Sequence, residues 1–388
     1  MALKTLPWLS SLRRSVVVVF FLGLLAYPAL SDVVVKPTFG HPYIFADRIV
    51  FTSVDGTHLI AIDKKGHLQW ELTFPDRIFV QHIDQTLTVQ SEQHVYKVSL
   101  ADGKKTELFV MPENELLLAD FGNDFLATTD RRFDRNRLRV INPVDYSTAW
   151  ESTSIEEIIA VTESTVVAST AERVYESDHH GYHLENLILR GFDRQSGRIR
   201  WSIPLANGLA ASAHVANFLA VVYRLRSYQF DDGSEKLSVL DPDTGAILSQ
   251  RQGEFGDLWP LEDSVGVLEI SHGAEKADFY ICKLPECRKN SVVSLSAKEI
   301  LRVRVYRDYI ITAGIYDAAC FDRATGRRLW EKGQLEWSEP FDNEMVITDF
   351  SSQDQTARIV SIDLSTGREQ PLFSRTVTDH DKANFQPW

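Results

Sequence analysis

The chain has 388 residues, 41 Lys plus Arg against 54 Asp plus Glu, and a formal net charge of −13. That balance excludes a general binder of the nucleic-acid backbone, which needs a basic surface to displace counterions, and it disfavours anionic membrane surfaces. With 44% hydrophobic and 24% charged residues, the chain can bury a sizeable core and does not read as disordered. Its length suggests two or three domains, although all-β units often run larger.

Residues 1–31 read as a secretory signal peptide. Lys4, Arg13 and Arg14 precede an apolar run from Val16 to Tyr27, and Ala29-Leu30-Ser31 places small residues before Asp32. The run is shorter than the roughly 18 residues that favour a membrane span, so cleavage is preferred over the rival reading, a retained anchor. No Cys lies near the cleavage site to carry a lipid. The expected mature chain is exported, to the periplasm or outside the cell. It has no stable membrane span and a net charge of about −16 once Lys4, Arg13 and Arg14 are removed.

From residue 32 to residue 377 one pattern recurs. Asp63 to Trp70, Asp193 to Trp201 and Asp322 to Trp330 each carry an Asp, a Gly, and a Trp four residues after the Gly. Asp241 to Gly245 and Asp363 to Gly367 keep the turn without the Trp, and weaker copies lie at Ser99 to Gly103, Ile141 to Trp150 and Ile281 to Arg288. The pattern predicts strand, tight turn, strand: the Asp caps turn N–H groups, the Gly supplies a positive φ, and the aromatic packs on a neighbouring sheet.

Upstream of each copy stands a short acidic or amide turn and an apolar run, such as Asp47 before Ile49-Val50-Phe51 or Asp308 before Tyr309-Ile310-Ile311. Eight upstream turns matched to eight downstream turns give four strands per unit. The expected fold is therefore all-β, an eight-bladed β-propeller of four-stranded antiparallel blades. Two β-sandwiches would also supply many short strands but would not explain one motif running through the whole region. Residues 378–388 remain as a C-terminal tail.

The Asp-x-x-x-Gly-x-x-x-Trp pattern resembles the pyrroloquinoline-quinone-type (PQQ-like) repeat of a propeller family that includes quinone-dependent dehydrogenases and a non-catalytic outer-membrane assembly propeller. The resemblance implies that Trp70, Trp150, Trp201 and Trp330 are structural, docking blade on blade. By size the chain is closer to the assembly propeller, although it lacks that protein's lipid-anchor Cys. The alcohol dehydrogenases of the family are longer and carry adjacent cysteines over the cofactor, whereas no two Cys are adjacent here.

Few residues suggest chemistry. Asp178-His179-His180-Gly181-Tyr182-His183 is rich in imidazoles that suit Zn or Cu, but with no Cys partner nearby it reads as a hairpin loop lengthening the fourth blade. Arg131, Arg132, Arg135, Arg137 and Arg139 could form an anion site, though Asp130 and Asp134 favour local ion pairs. Arg224, Arg226, Arg302 and Arg304 alternate along strands and would bind an anion only if they line the channel.

Cys282 and Cys287 bracket the position of an Asp-Gly turn and are expected to close it as a disulfide. Cys320 reads as a buried free thiol on an inner strand, and Asp231-Asp232 and Glu156-Glu157 as solvated loops or edges.

No catalytic residue, metal ligand or cofactor site is assigned. The expected function is a non-catalytic scaffold for a protein partner, serving envelope assembly. The alternative is an enzyme or small-ligand binder that uses the central channel, including a quinone-dependent dehydrogenase, and only that reading calls for PQQ with calcium.

Overall fold

The computed structural model describes residues 39–384 apart from 84–85, 114, 121–124, 130–136, 143, 154, 177–180, 206–208, 225–234, 271–276, 296–301, 314–316, 334–339 and 342. The expected signal peptide lies outside the described residues. What is described is almost wholly β: eight four-stranded antiparallel sheets, within each of which the strands pair in sequence order. In chain order, sheets 1 to 8 span 43–73, 78–110, 115–153, 155–204, 209–253, 255–295, 302–333 and 340–376.

The order of packing makes this a propeller. Each hydrophobic cluster joins two consecutive sheets: Val50, Trp70, Ile78 and Leu87 join sheets 1 and 2, and Ile311, Trp330, Met345 and Ile362 join sheets 7 and 8. The cluster of Phe39, Ile49, Phe51, Ile60, Val346, Ile359 and Val377 joins sheet 8 back to sheet 1. First strands of consecutive sheets touch one another in sheets 2 and 3 and in sheets 4 to 7, which puts first strands at the hub and fourth strands at the rim.

The repeat turn behaves as its chemistry requires. In all eight sheets the residue with positive φ donates its N–H to the carbonyl at the Asp position, as Gly245 does to Asp241 at 2.8 Å and Gly367 to Asp363 at 2.8 Å. The Asp carboxylate then accepts turn N–H groups, as Asp363 does from Thr366 at 2.8 Å. In two sheets the left-handed position is not a glycine: Tyr146 has φ 57° and Cys287 has φ 46°.

Docking by tryptophan is uniform. The indole N–H of Trp70, Trp150, Trp201 and Trp330 donates to a carbonyl of the next sheet's turn, respectively Leu100 at 2.9 Å, Arg194 at 2.7 Å, Pro242 at 3.0 Å and Leu364 at 2.9 Å. The ring lies so close to the turn glycine that a Cβ on Gly245 would stand 2.6 Å from Trp201, and one on Gly367 would stand 2.7 Å from Trp330. The glycine therefore serves the turn's backbone and makes room for the indole.

The ring has no covalent link between sheets 8 and 1, and side chains replace it. At other joints the residue after the fourth strand is buried and donates to the second-to-third hairpin, as Phe74 does to Thr57 and Leu205 to Leu187. Val377 makes the same bond to Gln355 although no described sheet follows it, and Phe39, fully buried, comes from the other end of the described residues to lie 5.8 Å from Phe373. Arg375 grips Glu71 with two 2.9 Å bonds across the seam.

Three further expectations meet the structure at this point. Residues 379–384 of the expected tail form a short helix, opened by Thr378 and Asp381, which bond reciprocally as a capping box. Cys320 sits on the third strand of sheet 7, an inner strand paired on both sides, as a free thiol. It is buried, with its thiol pushed up to about 12 by desolvation. Glu156 and Glu157 fall within the first strand of sheet 4, Ile155–Val161, which is an edge strand of that sheet and not a loop, because the flanking Ile155 and Ile158 pack inward.

Candidate functional site

An up-and-down sheet places its first-to-second and third-to-fourth turns at one end and its second-to-third hairpins, with the links between sheets, at the other. The two faces of this ring differ accordingly. The first carries the eight repeat turns, short and alike, stitched to their neighbours: Thr162 and Ser164 of sheet 4 donate hydroxyls to Asp243 of sheet 5 at 2.6 and 2.7 Å. Local donors hold turn carboxylates such as Asp193 and Asp63 low. The Ser196 hydroxyl is the main cause at Asp193, which lies near 2, and the backbone N–H of His67 holds Asp63 low. Groups already engaged in this way are poor recognition elements.

The opposite face is irregular. The second-to-third connection runs from Ser91 to His94 in sheet 2, from Thr129 to Arg137 in sheet 3, and from Arg224 to Glu235 in sheet 5. In sheet 4 the strands themselves lengthen, to Thr165–Glu176 and Gly181–Asp193. The sheet's outer neighbours stop pairing at Thr170 and Ile188, and Ala171 and Leu187 are buried against sheet 5. Beyond them a two-stranded ribbon continues from Glu172 opposite Glu185 to Glu176 opposite Gly181, about 17 Å at the usual rise per residue. The register sets Tyr175 opposite Tyr182 and Val174 opposite His183. Counted in residues, the longest second-to-third connections thus leave the strand ends of consecutive sheets 3, 4 and 5.

The hub reads differently. Its inner strand edges would offer the backbone groups for a channel ligand, but side chains of preceding sheets take several of them. The Tyr43 hydroxyl donates to Val80 O at 2.9 Å, Gln81 to Leu117 O at 3.2 Å, and Asp257 accepts the N–H of Val303 at 2.9 Å. Burial pushes Tyr43 up to about 12. Buried Gln90 clasps the first strand of sheet 3 twice, donating to Glu115 O and accepting from Leu117 N, both at 2.7 Å. Arg304 stacks over Trp259 at 5.2 Å. His214, on the first strand of sheet 5, is pulled down by burial. Among the described residues no group of three or more His, Cys, Asp or Glu is placed to hold a metal ion.

The remaining candidates are dispersed. Asp178, His179, His180, Arg131, Arg132, Arg135, Arg226, Asp231 and Asp232 lie outside the described residues. Arg139 forms an ion pair with Glu115 of its own sheet's first strand, at 2.5 Å and nearly buried, whereas Asp130 and Asp134 lie outside the described residues. Arg304 is at the hub, whereas Arg224 ends a second strand. Cys282 and Cys287 are bonded, their Cα atoms 4.4 Å apart. The clasps by Tyr43, Gln81, Gln90 and Asp257 were missed, since they join separate repeats and no spacing rule marks them. The lengthened ribbon had a signal, the wide gap between Ala168 and the Asp193 turn.

Among the described residues no helix is long and apolar enough to cross a membrane. Residues 29–217 match the family model described as outer membrane protein assembly factor BamB. No curated protein matches the sequence. Among solved structures, BamB from Moraxella catarrhalis is 14% identical over 85% of this chain and 84% of its own, with a TM-score of 0.38. Dihydro-heme d1 dehydrogenase NirN is 13% identical over 85% and 75%, with a TM-score of 0.53. AztD from Citrobacter koseri is 9% identical over 83% and 92%, with a TM-score of 0.51. At such identities the likeness concerns the fold.

Proposed function

Because the chain belongs to the PQQ-like repeat β-propeller family, we propose that it is an exported, non-catalytic scaffold serving envelope assembly, and that it holds a protein partner on the face carrying the second-to-third hairpins. The observation that carries this reading is the contrast between faces: short turns closed by the same backbone bond on one, and on the other the two-stranded ribbon of sheet 4, next to the strand ends from which the long connections of sheets 3 and 5 leave. Loops set on a rigid frame are where binding residues concentrate. The assembly factor named by the family description supports the same reading, as does the Cys282–Cys287 disulfide, which suits an oxidising compartment. The acidic balance favours protein partners or neutral or cationic ligands over nucleic acid.

The ribbon supplies the test. Replacing residues 172–186 with Asn-Gly keeps buried Ala171 and Leu187 and closes the hairpin with a two-residue turn. The variant is expected to fold, by circular dichroism and Trp fluorescence, and to lose the adduct that the intact protein forms when crosslinked in its native host. A folded variant that keeps the adduct removes the ribbon from the account. Turnover of alcohols or aldoses after reconstitution with PQQ and calcium would establish the channel enzyme instead.

A further inference from the structure

Each sheet ends at the rim in a fourth strand whose outer N–H and C=O groups have no neighbouring strand among the described residues. Natural sheets guard such edges with charge or proline, because an unguarded edge pairs with other chains. Seven of the eight outer strands carry at least one charged residue, from Glu71 in sheet 1 to Arg375 in sheet 8, and two add a proline, Pro204 and Pro371. The exception is Asn290–Leu295 in sheet 6, whose sequence NSVVSL has neither. Val292 at its centre is 43% exposed. The nearest cation, Lys289, is drawn back onto Glu269 and Asp278 of the same sheet, at 3.1 and 3.3 Å, and does not cover the edge.

The strand is also self-complementary. Across a two-fold axis an antiparallel pair of identical edges sets a residue opposite its own copy, and a pair centred on Val292 puts that exposed valine opposite the copy's Val292. No charge lies on the strand to meet its like, and a β-branched pair is a favourable cross-strand contact. An isologous dimer requires a surface that fits itself. A chain of net charge −13 repels its own copy over most of its surface, so an uncharged, self-matching edge is where two copies can approach.

We propose that the outer edge of sheet 6 is a self-association surface, at which two copies pair through Asn290–Leu295 across a two-fold axis and join two four-stranded sheets into one of eight strands. This goes beyond the scaffold reading and uses a different surface, at the rim.

Sedimentation velocity of the purified protein over a range of micromolar concentrations tests it, read with amide hydrogen exchange of residues 290–295. The expected result is a two-chain species that dissociates on dilution, with these amides losing protection as it does. Val292→Lys should weaken the dimer at least about tenfold with unchanged circular dichroism, while Leu68→Lys, on the exposed rim of sheet 1, should leave it intact. The wild-type hydrogen-exchange readout stands even if a variant misfolds. A protein that sediments as one chain throughout overturns the proposal. So does a V292K dimer as tight as the wild type, or an edge protected only when a different protein is added.

Discussion

The joints between sheets fall into two kinds. At four of them, between sheets 1 and 2, 3 and 4, 4 and 5, and 7 and 8, an indole docks on the next sheet's turn. The other four solve the same problem differently. Phe109 stacks on Tyr146 at 4.7 Å between sheets 2 and 3. The Ser249 hydroxyl donates to Pro285 O at 2.6 Å between sheets 5 and 6. Val293 meets Gly326 between sheets 6 and 7, and backbone at Leu372 meets Gly66 at the seam. The lesson is that Trp and Gly form one device. Where the indole is missing, the left-handed position can carry a side chain, as at Tyr146 and Cys287, because no indole has to fit beneath the turn.

The largest expected effect is at a docked joint. Trp330→Ala removes a nearly buried indole and its bond to Leu364, and should cost about 3–5 kcal/mol. Ser249→Ala, at an undocked joint, should cost only about 1 kcal/mol. Urea denaturation of both variants checks this, and equal losses would erase the distinction between joints.

Next in size is the coupling within the device. Gly245→Ala places a Cβ into Trp201 at φ 71° and should destabilise strongly alone but less in a Trp201→Ala background, with a coupling of about 1–3 kcal/mol. Strict additivity in the double-mutant cycle would mean that the glycine serves the backbone only.

Reduction of Cys282–Cys287, which closes a short loop at the undocked joint of sheets 5 and 6, should cost about 2 kcal/mol. Its effect should localise in hydrogen exchange to sheets 5 and 6. Spread over the docked joints would show that the clasp acts on the whole ring.

The smallest effect is at the seam. Glu71→Gln should cost at most about 1 kcal/mol, since Glu71 and Arg375 are partly exposed, and less at high salt. The Arg375 hydrogen bonds hold the Glu71 carboxyl below its ordinary value. Its contribution is thus present above the usual carboxylate range and lost as pH falls through the lowered value. A wild-type protein that loses no more stability on acidification than E71Q would remove Glu71 from the seam's acid sensitivity.

Much of this was legible in the sequence because it repeats. Trp70, Trp150, Trp201 and Trp330 mark the docked joints, and the Asp-Gly turns mark the third-to-fourth connections. What was hidden lies where a single residue solves a local problem. Tyr146 and Cys287 occupy a position that pattern assigns to glycine, since the constraint came from an indole that is absent there. Phe39 and Val377 stand at opposite ends of the described chain and meet only when the ring closes. Thr378 and Asp381 did carry a capping signal, short enough to be read as tail. At the candidate site, the gap before Asp193 announced the ribbon, but neither its register nor its place next to the strand ends of sheets 3 and 5 follows from one repeat alone.

The most direct test of the central claim compares the two faces with one probe. A photo-crosslinking amino acid is placed at Tyr182, on the ribbon, or at Thr366, in a tight turn of the opposite face, and irradiated in the native host. The account predicts one defined protein adduct from position 182 and none from position 366. An adduct from 366 with none from 182 would contradict it.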